Sequence, residues 1–158
     1  MPLRFPMSTT GEIFGLLEIL NDYGGDEDIA RLADDFDLEL DEILPSALAA
    51  EVLGLAVIDE GGMKLTPVGR ELLESGIQQR KEIFRNQLLK NETFSALLRE
   101  LEAHGGRIGK VAMLKLFATK FKAANSREWL KVVINWGRYA ELLGYDHGRE
   151  EIYRMEHP

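Results

Sequence analysis

Apolar positions recur with a helical period through most of the chain. Ile13, Leu16, Leu17 and Leu20 fall at i, i+3, i+4 and i+7, which predicts an amphipathic helix over Thr9 to Tyr23. Gly24-Gly25 stops it, because glycine accepts the left-handed conformation that follows a helix. Asp26 or Asp28 can cap a second helix, with Ile29, Leu32, Ala33 and Phe36 on its apolar face. After the acidic turn Asp37-Leu38-Glu39-Leu40, Asp41 is expected to cap a third helix, with Pro45 in its first turn and an end at Leu53-Gly54. The period then shortens. Leu55-Ala56-Val57-Ile58 and Met63-Lys64-Leu65 flank Asp59-Glu60-Gly61-Gly62, a hairpin signal. Thr66 followed by Pro67 opens a further helix.

The second half repeats this plan. Ile77 to Leu89 and Thr93 to His104 read as helices, with Ile83, Phe84, Leu88, Phe94, Leu97, Leu98 and Leu101 apolar. Gly105-Gly106 repeats the stop. Val111 to Phe121 is a helix with Leu114, Phe117, Ala118 and Phe121 on one face. Asn125 with Glu128 resembles a capping box, opening a helix that carries Leu130, Val133, Ile134, Gly137 and Ala140 and is expected to end at Leu143-Gly144. A hairpin follows from Tyr145-Asp146, through His147-Gly148, to Ile152-Tyr153-Arg154-Met155. The expected fold is mainly α (α+β), with tandem winged helix-turn-helix modules and small β-hairpin wings. The modules are residues 8–75 and 105–156, joined by connecting helices over 76–104.

Composition narrows the function classes. A length of 158 residues gives one ordinary domain or two small ones. There is no cysteine for a disulfide framework or a thiolate zinc site. No apolar run approaches the ~20 residues that span a bilayer, and Met1 to Pro6 has no signal-peptide core. A cytoplasmic protein without direct membrane insertion is expected. The net charge of -8 is unevenly spread. Met1 to Gly62 carries fifteen acidic side chains against two basic ones, whereas Gly105 to Ala140 carries eight basic side chains against Glu128 alone. Such an imbalance suggests two surfaces with different partners.

Several stretches together resemble a known family. They are Gly15-Leu16-Leu17-Glu18, Gly24-Gly25, Asp28-Ile29 with Leu32-Ala33, Leu44-Pro45 and Leu53-Gly54. Leu65-Thr66-Pro67 with Gly69, Arg80-Lys81, Ile83-Phe84-Arg85 and Gln87-Leu88 follow. The most specific run is Trp136-Gly137-Arg138-Tyr139-Ala140-Glu141-Leu142, with Tyr145-Asp146 after it. Over roughly Ser8 to Met155 the chain resembles the AAA-associated C-terminal domain. That family is attached to ATP-binding subunits of ABC importers of the nitrate, sulfonate and bicarbonate type. The resemblance implies a regulatory or accessory module of a transporter ATPase, peripheral to the inner face of the membrane. No nucleotide-binding domain is present in these residues, so a freestanding module or an excised piece of a larger ATPase is expected, and the start at Met1 favours the former.

Other motifs weaken on inspection. Gly105 to Val111 invites a phosphate-loop reading, but His104 and Val111 stand where Gly and a hydroxyl residue are required, and an inter-helix loop is expected. Asp35, Asp37, Glu39 and Asp41 alternate like calcium ligands, yet Leu40 and Ser46 occupy the required Gly and Glu positions. His104, His147 and His157 have no ligand spacing. No catalytic residue, metal or cofactor is expected. The third helix, Asp41 to Leu53, offers Asp41, Glu42 and Glu51 to solvent and would be repelled by phosphates. The second module differs, since Arg127, Lys131, Asn135 and Arg138 follow Lys115, Lys120 and Lys122. A basic face docking on the acidic module or on a protein is preferred over one reading nucleic acid. A DNA-binding regulator contacting phosphates through Lys115, Lys120, Lys122, Arg127 and Lys131 is the alternative. Trp129 and Trp136 lie close to one helical face and are expected in the core with most of the aromatic set. Candidate interaction residues are Arg138, Tyr139, Glu141, Tyr145 and Asp146, with Lys81 and Arg85. A clamp of helix to wing explains the Trp136 run equally well. The expected partner is an ABC transporter ATP-binding subunit or another protein, with a second copy of the chain as a further partner.

Overall fold

The computed structural model describes residues 6–155. Met1 to Phe5, Glu156 and His157 of the sequence reading lie outside the described residues. Among the described residues eight helices and six short strands follow one another: α1 Thr10–Asp22, β1 Asp26–Asp28, α2 Ile29–Asp35, α3 Leu40–Val52, β2 Ala56–Asp59, β3 Gly62–Leu65, α4 Pro67–Glu74 and α5 Ile77–Lys90. Then come α6 Glu92–Ala103, β4 Arg107–Gly109, α7 Lys110–Thr119, α8 Ser126–Tyr139, β5 Leu143–Asp146 and β6 Glu151–Arg154. The chain is mainly α with two small antiparallel sheets. It divides into two compact units, Pro6–Gln87 and the chain from Leu88 onward, with the division inside α5.

In the first unit α1 starts on a capping box. Thr9 accepts from the Glu12 N–H at 3.2 Å, and the Glu12 carboxylate accepts from the Thr9 N–H at 2.9 Å. Two of the orphan donors of a helix start are thereby satisfied. Ile13, Leu16, Leu17 and Leu20 are buried as their spacing predicts, with Leu32, Ala47 and Ala50 also buried. The sheet order is β1-β3-β2. β1 is absent from the sequence reading because Asp26-Glu27-Asp28 has no apolar alternation. Its backbone pairs with β3, which sets Asp26 opposite Lys64, a favourable cross-strand charge pair.

Three details differ from expectation here. α3 is capped at Glu39 rather than Asp41, because the Glu42 carboxylate accepts from the Glu39 N–H at 2.9 Å and moves the start two residues earlier. Pro45 consequently lies inside the helix rather than in its first turn, where its missing N–H leaves the Asp41 carbonyl without its usual donor. Phe36 is 38% exposed, because α2 ends at Asp35 and the chain turns out of helical geometry before the Phe36 side chain can join the apolar face.

The Leu65-Thr66-Pro67-x-Gly69 motif has a packing explanation. Thr66 Oγ1 accepts from the Gly69 N–H at 3.1 Å and donates to the Gly54 carbonyl at 2.7 Å, so one hydroxyl caps the start of α4 and the end of α3. A Cβ at Gly69 would collide with the Leu55 carbonyl oxygen. α5 secures two helix ends. Arg80 donates to the Leu72 and Leu73 carbonyls at 3.2 and 3.1 Å, and Gln87 donates to the Leu53 carbonyl at 2.9 Å. Arg80 also pairs with Glu18 at 3.5 Å, while Phe84 meets Phe14 edge-on at 5.7 Å.

The second unit has the same order of helix, strand, helix, helix and hairpin, with sheet order β4-β6-β5. The likeness extends to single hydrogen bonds. The Gly25 N–H bonds the Leu20 carbonyl and the Gly106 N–H bonds the Leu101 carbonyl, both at 2.9 Å, with all four glycines of the two pairs at positive φ. The Leu55 N–H bonds the Ala50 carbonyl at 2.9 Å as the Leu142 N–H bonds the Gly137 carbonyl at 2.8 Å. The Ile29 N–H reaches the Gly61 carbonyl at 2.9 Å as the Lys110 N–H reaches the Glu150 carbonyl at 2.8 Å.

This correspondence corrects two expectations. α8 ends at Tyr139, not at Leu143-Gly144, and Glu141 at φ 58° takes the left-handed position that Gly54 holds at φ 73°. Leu143-Gly144 opens β5 instead, because Gly144 lies under the Tyr153 ring and Leu143 packs onto Gly137. Arg107–Gly109 is a strand rather than an inter-helix loop, held by pairing to β6. α7 runs Lys110–Thr119, and Phe117, Phe121 and Trp129 pack together at centroid distances of 5.6 to 6.4 Å.

Candidate functional site

α8 carries two faces. Trp129, Leu130, Val132, Val133 and Trp136 are buried, and Trp136 is fully so. Asn125 caps the start, its side chain accepting from the Glu128 N–H at 3.2 Å. The other face presents Arg127, Lys131, Ile134 and Arg138, spaced by four, three and four residues and hence aligned along the helix. That face forms one wall of a cleft of about 440 Å³. Tyr145 and His147, from β5 and the turn after it, and Lys110 at the start of α7 also line it. The Tyr145 and His147 rings stand 4.8 Å apart. Leu130 and Ile134 contribute the apolar floor.

The cleft is electrostatically one-sided. Four of its lining residues are cations and none is a carboxylate. Among the described residues, none of Lys110, Arg127, Lys131 and Arg138 forms an ion pair. Two of the four are placed against their helices. Lys110 is the first residue of α7 and Arg127 the second of α8. A helix N-terminus already carries a positive partial charge, and a cation there is disfavoured by roughly 0.3–1 kcal/mol. Three other cations of this unit are paired with carboxylates. Arg107 pairs with Glu151 at 3.2 Å and Asp146 at 3.7 Å and lies over the Tyr153 ring. Arg154 pairs with Glu102 at 3.0 Å, and Lys120 pairs with Glu100.

The residues singled out in the sequence therefore separate. Arg127, Lys131, Arg138 and Tyr145 converge on the cleft. Lys115, Lys120 and Lys122 do not line it. Asp146 folds its own turn, accepting from the Gly148 and Arg149 N–H groups at 3.0 and 3.1 Å. Tyr139 is half-buried on α8 and Glu141 is the left-handed residue after it. Lys81 and Arg85 are half-buried on α5 in the first unit, where Arg80 and Gln87 make the capping contacts. Lys110 and His147 are the cleft residues that sequence reasoning missed. Lys110 follows a strand that reads as a loop, and His147 stands in a turn with no ligand spacing. The alignment of Arg127, Lys131 and Arg138 on one helical face was readable.

A smaller hollow of about 290 Å³ in the first unit is lined by Glu12, Leu16, Phe36, Glu42 and Ser46 among others. Its two carboxylates are the capping-box residues of α1 and α3, and Ser46 shares a hydrogen bond with Ser8 at 2.8 Å. These polar groups are used in holding the fold. Tyr23, hydrogen-bonded to Asp35, has its phenol pKa raised above 10.0, chiefly because the proton is shared with that carboxylate, with desolvation adding to it. Among the described residues no cluster of acidic or histidine side chains could hold a metal ion. No helix of the described residues is long and apolar enough to cross a membrane.

The profile of the C-terminal AAA-associated domain matches residues 30–146, a span that includes α3, α8 and most of both units. The chain belongs to the C-terminal AAA-associated domain family. No curated protein and no solved structure matches it.

Proposed function

We propose that the chain is a non-catalytic regulatory module that docks on the ATP-binding subunit of an ABC-type importer. Membership of the C-terminal AAA-associated family over both units carries this reading. The first unit supplies a surface that suits a protein. In each unit the order of helix, strand, helix, helix and hairpin fits a winged helix, whose third helix is the one that usually contacts partners. In the first unit that helix is α3, and Leu40, Leu48 and Val52 are 49%, 45% and 43% exposed on it. They are spaced in multiples of four, so they form one row along the helix. Glu51 beside them accepts from the Ile58 N–H at 2.9 Å and fixes the hairpin next to this row. An apolar row with acidic neighbours buries favourably against a protein and is repelled by phosphates. The test is co-purification with ATP-binding subunits of ABC importers, with and without nucleotide. Leu48→Glu with Val52→Glu should abolish association while leaving the fold intact.

A second reading, a winged-helix regulator binding DNA through α8, is favoured by the exposed Arg127, Lys131 and Arg138. Gel shift at about 50 mM salt tests it, since phosphate contacts are strongest at low salt. A shift lost in Arg127→Glu with Lys131→Glu would support DNA binding, and no shift would remove it.

A further inference from the structure

The cleft between α8, Lys110 and the Tyr145–His147 wall has the properties of a small-molecule site rather than of a flat docking face. Its volume of about 440 Å³ lies within the ~300–1,000 Å³ usual for small-ligand pockets. Leu130 and Ile134 line it beside four cations, so it offers apolar contact and charge together. We propose that it binds a small organic dianion with a flat, apolar body.

Each part of that description follows from a residue. The anionic character follows from Lys110, Arg127, Lys131 and Arg138, which find no carboxylate partner among the described residues. Two of them sit at helix N-termini, where their charge is unfavourable until an anion is bound. Two separated charges follow from the helix. Lys131 and Arg138 are seven residues apart, about 10 Å along the axis, a span that suits two carboxylates held apart by a ring. The flat apolar body follows from Ile134 between them in sequence and from the Tyr145 and His147 rings in the same lining, either of which can stack on a planar group. A nucleic-acid backbone fits less well. It needs cations continued along a track, whereas the row on α8 and Lys110 from α7 line a single hollow. Lys120, which could extend a track, is held by Glu100.

The proposal stands apart from the ATPase reading, because it is tested on the chain alone. The probe is 2,6-naphthalenedicarboxylate, titrated into the whole chain at about 50 mM salt and followed by amide chemical shifts. Saturable binding is expected, with shifts confined to α8, the start of α7 and the β5–β6 turn. Naphthalene-2,6-dimethanol, the same ring without charge, and inorganic phosphate, charge without the ring, should each bind at least tenfold more weakly. Arg127→Glu with Lys131→Glu should lose at least tenfold in affinity, and Lys115→Glu, equal in sign but outside the cleft, should not. Circular dichroism of each variant checks that the fold persists. Equal binding of the uncharged diol, or equal loss in Lys115→Glu, would overturn the proposal. So would absence of saturable binding by the dicarboxylate. Tighter binding of a 20-base-pair duplex that displaces the probe would also overturn it and assign the face to nucleic acid.

Discussion

Gly69 and Gly15 both sit in helices and ask opposite things of a methyl group. At Gly69 a Cβ would meet the Leu55 carbonyl oxygen, which is backbone and cannot rotate away, whereas at Gly15 nothing lies within 4 Å. Gly69→Ala should therefore destabilise the first unit by about 1–3 kcal/mol, the usual cost of overpacking. Gly15→Ala should stabilise it by about 0.5–1 kcal/mol through helix propensity. Urea titration of the two variants checks the opposite signs. Tyr23 gives a prediction in pH. Its phenol is held protonated by Asp35, so the folded chain binds that proton more tightly than the unfolded chain does. The contribution to stability is complete below pH 10 and is lost as pH rises above it through the folded value. Absorbance of the tyrosinate should place the Tyr23 phenol above 10, moved back toward 10 by Asp35→Ala. Arg80 and Gln87 show how a family motif can be structural. Their donors end on the carbonyls of Leu72, Leu73 and Leu53, and charge on Arg80 makes it the stronger capping donor.

Between elements, the doubled plan makes each unit a control for the other. Gly61 and Glu150 hold the same hairpin position at φ 80° and 52°, each with its carbonyl accepting from the first residue of the preceding short helix. A non-glycine residue in that conformation costs about 1–2 kcal/mol. Glu150→Gly should stabilise the second unit by up to about 1 kcal/mol after the entropy of glycine is deducted, read as a rise in its unfolding midpoint. The same comparison explains what the sequence showed and what it hid. Long periodic helices were legible, and Ile13, Leu16, Leu17, Leu20, Phe94, Leu97 and Leu101 all lie in the core. β1 and β4 were not, since three-residue strands of Asp26-Glu27-Asp28 and Arg107-Ile108-Gly109 have too few side chains to show a period. Their pairing is set by β3 and β6, which are distant in sequence. The end of α8 was misplaced for a related reason. Glycine commonly marks a helix end, but here Glu141 takes the left-handed turn and Gly144 serves a close approach to Tyr153. Of the cleft, the basic row on α8 could be read from spacing, whereas Lys110 and His147 arrive there only through the sheet.

At the scale of the molecule, the net charge of -8 is the sum of two unlike surfaces. The first unit exposes an apolar row on α3 in an acidic setting, and the second exposes a cationic cleft. We propose that these surfaces do separate work, with a transporter ATPase on the first and an anion in the second. Charge reversal in the cleft should then abolish binding of the aromatic dicarboxylate without changing affinity for the ATPase. Substitution on α3 should do the reverse. The most direct measurement is a titration of a purified importer ATP-binding subunit into the whole chain, followed calorimetrically with and without ATP. Saturable binding that is lost in Leu48→Glu with Val52→Glu and kept in Arg127→Glu with Lys131→Glu is the predicted result. Absence of binding in both nucleotide states, or binding indifferent to the α3 substitutions, would contradict it.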